Sequence, residues 1–280
     1  MSSASAWLRM ARVSNTPTTV SDTVAGAVLV SPAVAAGPVA VVAVAIALFY
    51  TAGMLLNDVM DVGVDRRERP ERPLPSGQVS VRAASAATVA LFVLGEILLL
   101  LEGWEPALAG LGLIGLIVLY DAWHKGNAVS PLLMAACRAM VYVVAGLAIA
   151  GALNDELWGA AAMLLVYVVG LTQVAKAERG GLAARWPVIA VLAPAVYWAK
   201  ELPDAAVALL IAAFLVWVGH ALWLVLARHR IGAGVVSLIA GIAIYDALVV
   251  AGAGGSAVAV AVCLAAFAVT IALQTKIAGT

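Results

Sequence analysis

Residues 38–57, PVAVVAVAIALFYTAGMLLN, make a run of twenty residues without a charged side chain. A helix rising about 1.5 Å per residue covers roughly 30 Å over that length, the thickness of a bilayer's hydrocarbon core. The chain then passes directly into NDVMDVGVDRRERPERPLPSG, residues 57–77, which is crowded with charge. An apolar span feeding a charged segment reads as a helix leaving a membrane. Working outward, ten such apolar runs are expected: 20–36, 38–57, 82–101, 106–122, 130–152, 157–177, 187–200, 204–227, 233–252 and 256–275. The first and seventh are short and interrupted by Pro32 or Pro194, so either is expected to be tilted, kinked or partly interfacial. Turn-forming Gly, Pro and Asn or charged residues separate the runs.

Composition agrees. Of the 280 residues 64% are hydrophobic and 11% charged, against about 25% charged in soluble domains. A chain this apolar needs lipid, not water, around it. The expected fold class is all-α, a polytopic transmembrane helical bundle of nine to ten spans. The chain 1–280 reads as a single membrane domain with no soluble domain. The net charge of zero gives no reason to expect a nucleic-acid partner. Cys137 and Cys263 lie far apart in apolar runs and read as small core hydrophobes. The N-terminus, MSSASAWLRMARVSN, lacks a small-residue cleavage site joined to a short apolar core, so no cleaved signal peptide is expected.

Lys and Arg concentrate in cytoplasmic loops. With the N-terminus inside, the inside segments carry Arg9 and Arg12, then Arg66, Arg67, Arg69, Arg72 and Arg82, then Lys125, then Lys176, Arg179 and Arg185, then Arg228 and Arg230, and last Lys276. The opposite loops carry Glu102, Glu105, Asp155, Glu156, Glu201 and Asp204, with Lys200 as their only cation. Both ends and the charged loops are therefore expected to be cytoplasmic. Trp7, Trp123 and Trp186 fall near one interface and Trp104, Trp158 and Trp198 near the other, as an aromatic belt would.

Asp58, Asp61 and Asp65 are spaced i, i+3 and i+7. On a helix they stand at about 0°, 300° and 340°, one narrow face. Three carboxylates on one face repel each other unless a cation sits among them. Hard cations such as Mg²⁺ take carboxylate oxygens, keep several waters and are completed by substrate phosphates. Asn57 adjoins the triad, and the Arg residues that follow are cations able to hold a diphosphate. The competing reading is a solvated acidic loop.

NDVMDVGVD resembles the first aspartate motif, N-D-x-x-D-x-x-x-D, of the UbiA superfamily of intramembrane prenyltransferases. RRERPERPLPSG resembles the stretch that follows it there. The resemblance implies a bundle around a central cavity, with an isoprenyl diphosphate donor bound through Mg²⁺ at Asp58, Asp61 and Asp65, and with Arg66 and Arg72 offsetting charge. The isoprenyl group would pass to a lipophilic or small acceptor that the sequence does not identify. A second element, LYDAWHKGN at 119–127, resembles the family's Tyr followed by a Lys-Arg pair. Tyr120, His124 and Lys125 are the matching types, with His where Lys is usual. Lys125 is placed to bind a phosphate oxygen. Asp121 could ligate metal, orient a cation or act as a base, and an ordinary interfacial cluster is the alternative.

The third element departs from the family. Members carry a second motif, D-x-x-x-D, at the end of the sixth span, but YVVGLTQVAKAERGG, residues 167–181, has no Asp. Its one carboxylate is Glu178, so a second metal is expected to be held weakly by Glu178 or to be replaced by cations such as Lys176 and Arg179. The pattern T-x-x-A-x-x-E, Thr172 to Glu178, resembles a divergent branch of the superfamily found in bacterial Ebo-type gene clusters, which implies a bacterial plasma membrane.

Ionisable groups also fall within spans: Asp22, Glu96, Arg138, His220 and Asp246. Such groups usually face a cavity or a partner. Arg138, about 12 Å into its helix, could reach a diphosphate or could snorkel to a helix terminus. Asn15, in a stretch resembling the family's first-helix entry, could face substrate. Asp246 reads as structural or acceptor-binding, and His220 and Glu96 as structural. His220 has no second His or Cys at ligand spacing, so no zinc site is expected. Three rivals remain. A CDP-alcohol phosphatidyltransferase would need a different, longer aspartate pattern. A cation-coupled transporter would leave the triad and Arg-Pro loop unexplained. A family member that binds prenyl lipid without turnover is compatible with the missing second motif.

Overall fold

The structure is a computed structural model describing residues 3–176, 185–202 and 204–276. Its helices are α1 (Ser3–Met10), α2 (Pro17–Val30), α3 (Ala36–Glu68), α4 (Val81–Glu102), α5 (Trp104–Trp123), α6 (Ser130–Ala150), α7 (Asp155–Lys176), α8 (Trp186–Trp198), α9 (Ala205–Leu226), α10 (Ile231–Gly252) and α11 (Ala257–Gln274). Helices α2–α11 occupy the ten apolar runs. Eight of them are long and apolar enough to cross a membrane, and the chain is an integral membrane protein. The exceptions, α2 with 14 residues and α8 with 13, fall well short of the hydrocarbon thickness. Ser31 ends α2 in extended backbone, φ −152°, because helical geometry is disfavoured for the residue before Pro32.

Helix α2 is a buried strut rather than a peripheral segment. It packs against α6, α10, α11 and α3. Gly26 permits its closest approach: a Cβ there would stand 2.7 Å from the Cα of Tyr142 on α6. The polar residues of α2 tolerate burial because they return their hydrogen bonds to their own chain. Thr18 donates to the Asn15 carbonyl and Thr23 to that of Thr19. Helix α10 is the central span, with 78% of its apolar window buried against 22% for α4 and α11. Tyr167 on α7 donates to the Leu238 carbonyl of α10, and Tyr245 on α10 returns a bond to Ala160 of α7, both at 2.7 Å.

Helix α3 has 33 residues, about 50 Å, so it outruns the bilayer and carries the acidic stretch as a continuous helix. It stops at Arg69, φ −145°, again the residue before a proline. The segment 69–80 then folds back. Gly77, φ 74°, takes a left-handed turn that disfavours other residues. Leu74 and Val79 bury themselves in a small second core with Ala6, Met10, Leu55 and Ala84. That core seats α1 and the Arg-Pro segment together over the end of α3.

The aromatic belt is less regular than expected. Trp104, Trp123, Trp158 and Trp186 are exposed, but Trp198 is fully buried against Tyr197, because short α8 draws its last turn into the bundle.

Candidate active site

A cavity of about 420 Å³ opens between α2, α3, α5, α6, α7 and α10, within the size range of small-molecule sites. Phe49, Ile117, Val141, Leu171, Ile239 and Ile242 make its apolar wall, and Arg12, Asn15, Tyr50, Arg72, Asp121 and Arg138 its polar one.

The acidic face of α3 adjoins this cavity through Arg12 and Arg72, which line it and pair with Asp58 and Asp65; the three aspartates themselves are not among its lining residues. Asp58 and Asp65 are buried, at 7% and 5% exposure, and Asp61 is half-buried. Each carboxylate meets a cation from a different segment. Arg12, from the turn after α1, lies 3.6 Å from Asp58 and donates to Asn57 Oδ1 at 3.2 Å. Arg72, from the folded-back segment, donates to Asp65 at 2.8 Å and lies 3.8 Å from Asp58. Lys125, just past α5, lies 2.5 Å from Asp61, and His124 Nε2 lies 3.7 Å from the same carboxylate. His124 stacks on Tyr120 at 5.2 Å and its Nδ1 stands 3.1 Å from the Asp121 carbonyl. Asn57 Nδ2 donates to Asp121 Oδ1 at 3.0 Å, leaving the buried Asp121 Oδ2 without a protein partner.

The donor set suits a hard divalent cation: carboxylate oxygens on one helical face, with a spare carboxylate oxygen on Asp121. Among the described residues, no three His, Cys, Asp or Glu side chains converge as they stand. The carboxylates are turned to Arg12, Arg72 and Lys125, so an ion binding here would exchange with those cations.

Arg66 is exposed and does not line the cavity, whereas Arg69 and Arg72 do. One helical residue past Asp65 turns Arg66 away from the acidic face. Lys176 is exposed, lies 3.2 Å from Ser130 Oγ and is not among the cavity residues. Glu178 and Arg179 fall outside the described residues. Thr172, from the same segment, lines the cavity. Asn15 is buried in the cavity wall and accepts from Gln274 Nε2 at 3.1 Å. Arg138 does not snorkel. It forms an ion pair with Asp22. Asp246 accepts from Ser21 and Tyr142. Glu96 keeps a buried oxygen without a partner beside Gly110. His220 is exposed between Trp217 and Trp223. Cys263 is core, but Cys137 faces the cavity.

Arg12 is the residue that sequence reasoning missed as part of a site. Its backbone is left-handed, φ 44° and ψ 47°, uncommon for a residue with a side chain. Its carbonyl accepts from Tyr50 OH at 3.4 Å. The one signal in the sequence was a lone Arg three residues before Asn15.

The family model for the UbiA prenyltransferase family matches residues 19–252. This chain belongs to the UbiA prenyltransferase family. Among relatives, it is 36% identical over 107 residues to the digeranylgeranylglyceryl phosphate synthase of Saccharolobus solfataricus, a match spanning 38% of each chain. Among solved structures, it resembles that of a digeranylgeranylglyceryl phosphate synthase with a TM-score of 0.66 at 18% identity, over 90% of this chain and 99% of that one. It also resembles a UbiA homologue from Archaeoglobus fulgidus bound to GPP and Mg²⁺, with a TM-score of 0.54 at 18% identity, over 96% and 99% of the two chains. At these identities the structural likeness is one of fold. Family membership removes the phosphatidyltransferase reading.

Proposed function

We propose that the protein is an intramembrane prenyltransferase that moves an isoprenyl group from an isoprenyl diphosphate to an acceptor. One observation carries the reading: Arg12 and Arg72 line an apolar cavity and pair with Asp58 and Asp65 on the acidic face of α3, whose third carboxylate, Asp61, pairs with Lys125. Carboxylates for a metal, cations for phosphate oxygens and an apolar wall for a hydrocarbon tail stand together. The A. fulgidus homologue bound to GPP and Mg²⁺ supports this reading.

Asp58, Asp61 and Asp65 are the proposed Mg²⁺ ligands, with Asp121 beside them. Bound there, Mg²⁺ would supply Lewis-acid stabilisation of the leaving diphosphate. Arg12, Arg72 and Lys125 would bind phosphate oxygens by charge-assisted hydrogen bonds, with Tyr120, His124 and Asn57 around them. The C1–O bond of the donor breaks with its electron pair on diphosphate, and an acceptor atom bonds to C1 as its own proton passes to a base, for which the spare Asp121 Oδ2 is the proposed group. Phe49, Ile117 and their apolar neighbours would keep water from the allylic cation.

Three finer readings accompany it. The cavity mouth faces the cytoplasm, from the Lys and Arg asymmetry. The chain 1–280 acts as one domain. The pattern from Thr172 to Glu178 supports the Ebo-type branch and a bacterial membrane, although the relatives compared bear the digeranylgeranylglyceryl phosphate synthase name.

The test incubates purified protein with geranyl diphosphate and Mg²⁺, with and without EDTA. Mg²⁺-dependent binding followed by diphosphate release is expected. Binding without release would make the protein a prenyl-lipid binder, and no Mg²⁺-dependent binding would overturn the reading.

A further inference from the structure

Deep in the cavity wall lies a second polar group, distinct from the acidic face. Arg138 sits about 12 Å into α6 and lines the cavity. One of its terminal nitrogens pairs with Asp22 of α2 and the other donates to Thr18 Oγ1 at 2.6 Å. Asp22 is fully buried, and its Oδ1 has no protein partner. Next to Asp22, Ser21 donates to Asp246 of α10 at 2.5 Å, and Tyr142 of α6 donates to the other oxygen at 2.6 Å. Three helices thus converge on one cation and two carboxylates in the middle of the bundle. Asn15, Thr19 and Tyr50 add uncharged polar groups to the same stretch of cavity wall.

Such a cluster is costly to bury unless its groups satisfy one another. Charge counting decides what it can bind. Asp22 already neutralises Arg138, and Asp246 adds a carboxylate whether or not it carries a proton. No positive charge is left over for an anion. The guanidinium still has N–H groups beyond the two in use, since it carries five. A guanidinium fixed on two sides, with N–H groups to spare and no surplus positive charge around it, suits an uncharged oxygen.

We propose that Arg138, positioned by Asp22 and Thr18, receives the prenyl acceptor, and that the acceptor presents an uncharged hydroxyl or carbonyl oxygen to it. This deepens the prenyl-transfer reading and rests on it. The diphosphate belongs to the acidic end, where Arg12, Arg72 and Lys125 supply the cations. The acceptor belongs to the Arg138 cluster deeper in the same cavity, which has no surplus positive charge. The assignment separates this chain from relatives named for a glyceryl phosphate product, since a phosphate finds no uncompensated cation at Arg138.

The test uses three lipids of equal chain length: hexadecylglycerol, which is uncharged, hexadecyl phosphate and hexadecanoate. Their dissociation constants are measured on the purified, detergent-solubilised full chain. Hexadecylglycerol is expected to bind at least about tenfold more tightly than either anion. Arg138→Gln should weaken hexadecylglycerol about tenfold. Asp22→Asn frees the charge of Arg138, so it should erase or invert the preference over the anions. Asp22→Asn also buries an unpaired cation and could fail to fold; the ranking on unmodified protein then decides alone. Tighter binding of either anion, equal binding of all three, or binding of none overturns the proposal. Mg²⁺-dependent binding of geranyl diphosphate, measured on the same preparation, reports the donor reading separately. Its loss with the lipid ranking intact would remove the donor assignment and leave Arg138 a site for an uncharged lipid oxygen without the acceptor role.

Discussion

Arg12→Gln separates two functions that the structure places in one side chain. The Arg12 guanidinium lies 3.6 Å from Asp58 and 3.2 Å from Asn57 Oδ1. At an effective dielectric of about 20, a pair at that separation attracts by roughly 5 kcal/mol before desolvation is counted. The net worth of a charge-assisted contact is smaller, about 1.5–3 kcal/mol. If Arg12 neutralises Asp58 until a metal arrives and then turns to the diphosphate, its loss has opposite effects on two ligands. Metal binding without donor should tighten roughly tenfold, because Asp58 no longer has Arg12 to give up. Donor binding at saturating metal should weaken roughly tenfold to a hundredfold, because a phosphate contact is gone. Mn²⁺ titration followed by electron paramagnetic resonance reads the first, and equilibrium binding of labelled geranyl diphosphate the second. Weakening of both would mean that Arg12 merely supports the fold. Unchanged metal affinity beside weakened donor binding would refute the exchange.

Three further outcomes are expected. Asp58→Ala and Asp61→Ala should each abolish Mg²⁺-dependent binding of geranyl diphosphate while the protein still elutes as a single folded species; retained binding in both would sink the metal assignment. Glu71→Cys, on the exposed segment after α3, should react with an impermeant maleimide only after cells are permeabilised, and labelling of intact cells would reverse the orientation. Gly26→Ala inserts a methyl 2.7 Å from the Tyr142 Cα and should destabilise the protein by about 1–3 kcal/mol, as overpacking does. A thermal midpoint equal to wild type would show that α2 and α6 can separate freely there.

Much of the molecule was legible along the chain. The ten apolar runs became α2–α11, and the early end of the first was readable from Pro32, whereas Pro194 lies inside α8 without ending it. The register of Asp58, Asp61 and Asp65 held because nothing between Pro38 and Pro70 interrupts α3. Hydrophobicity, helical period and proline geometry act within one or two turns, so the sequence by itself determines them. Tertiary structure alone decided the rest. Nothing local says that α2 is a central strut, that Arg12 rather than Arg66 meets the acidic face, or that Asp22 neutralises Arg138 from 116 residues away. Nor could the charge of Arg138 be assigned to diphosphate or acceptor before its partner was known. Those outcomes depend on which helix faces which. Close packing and the cost of an unpaired buried charge settle that only once the whole bundle has assembled.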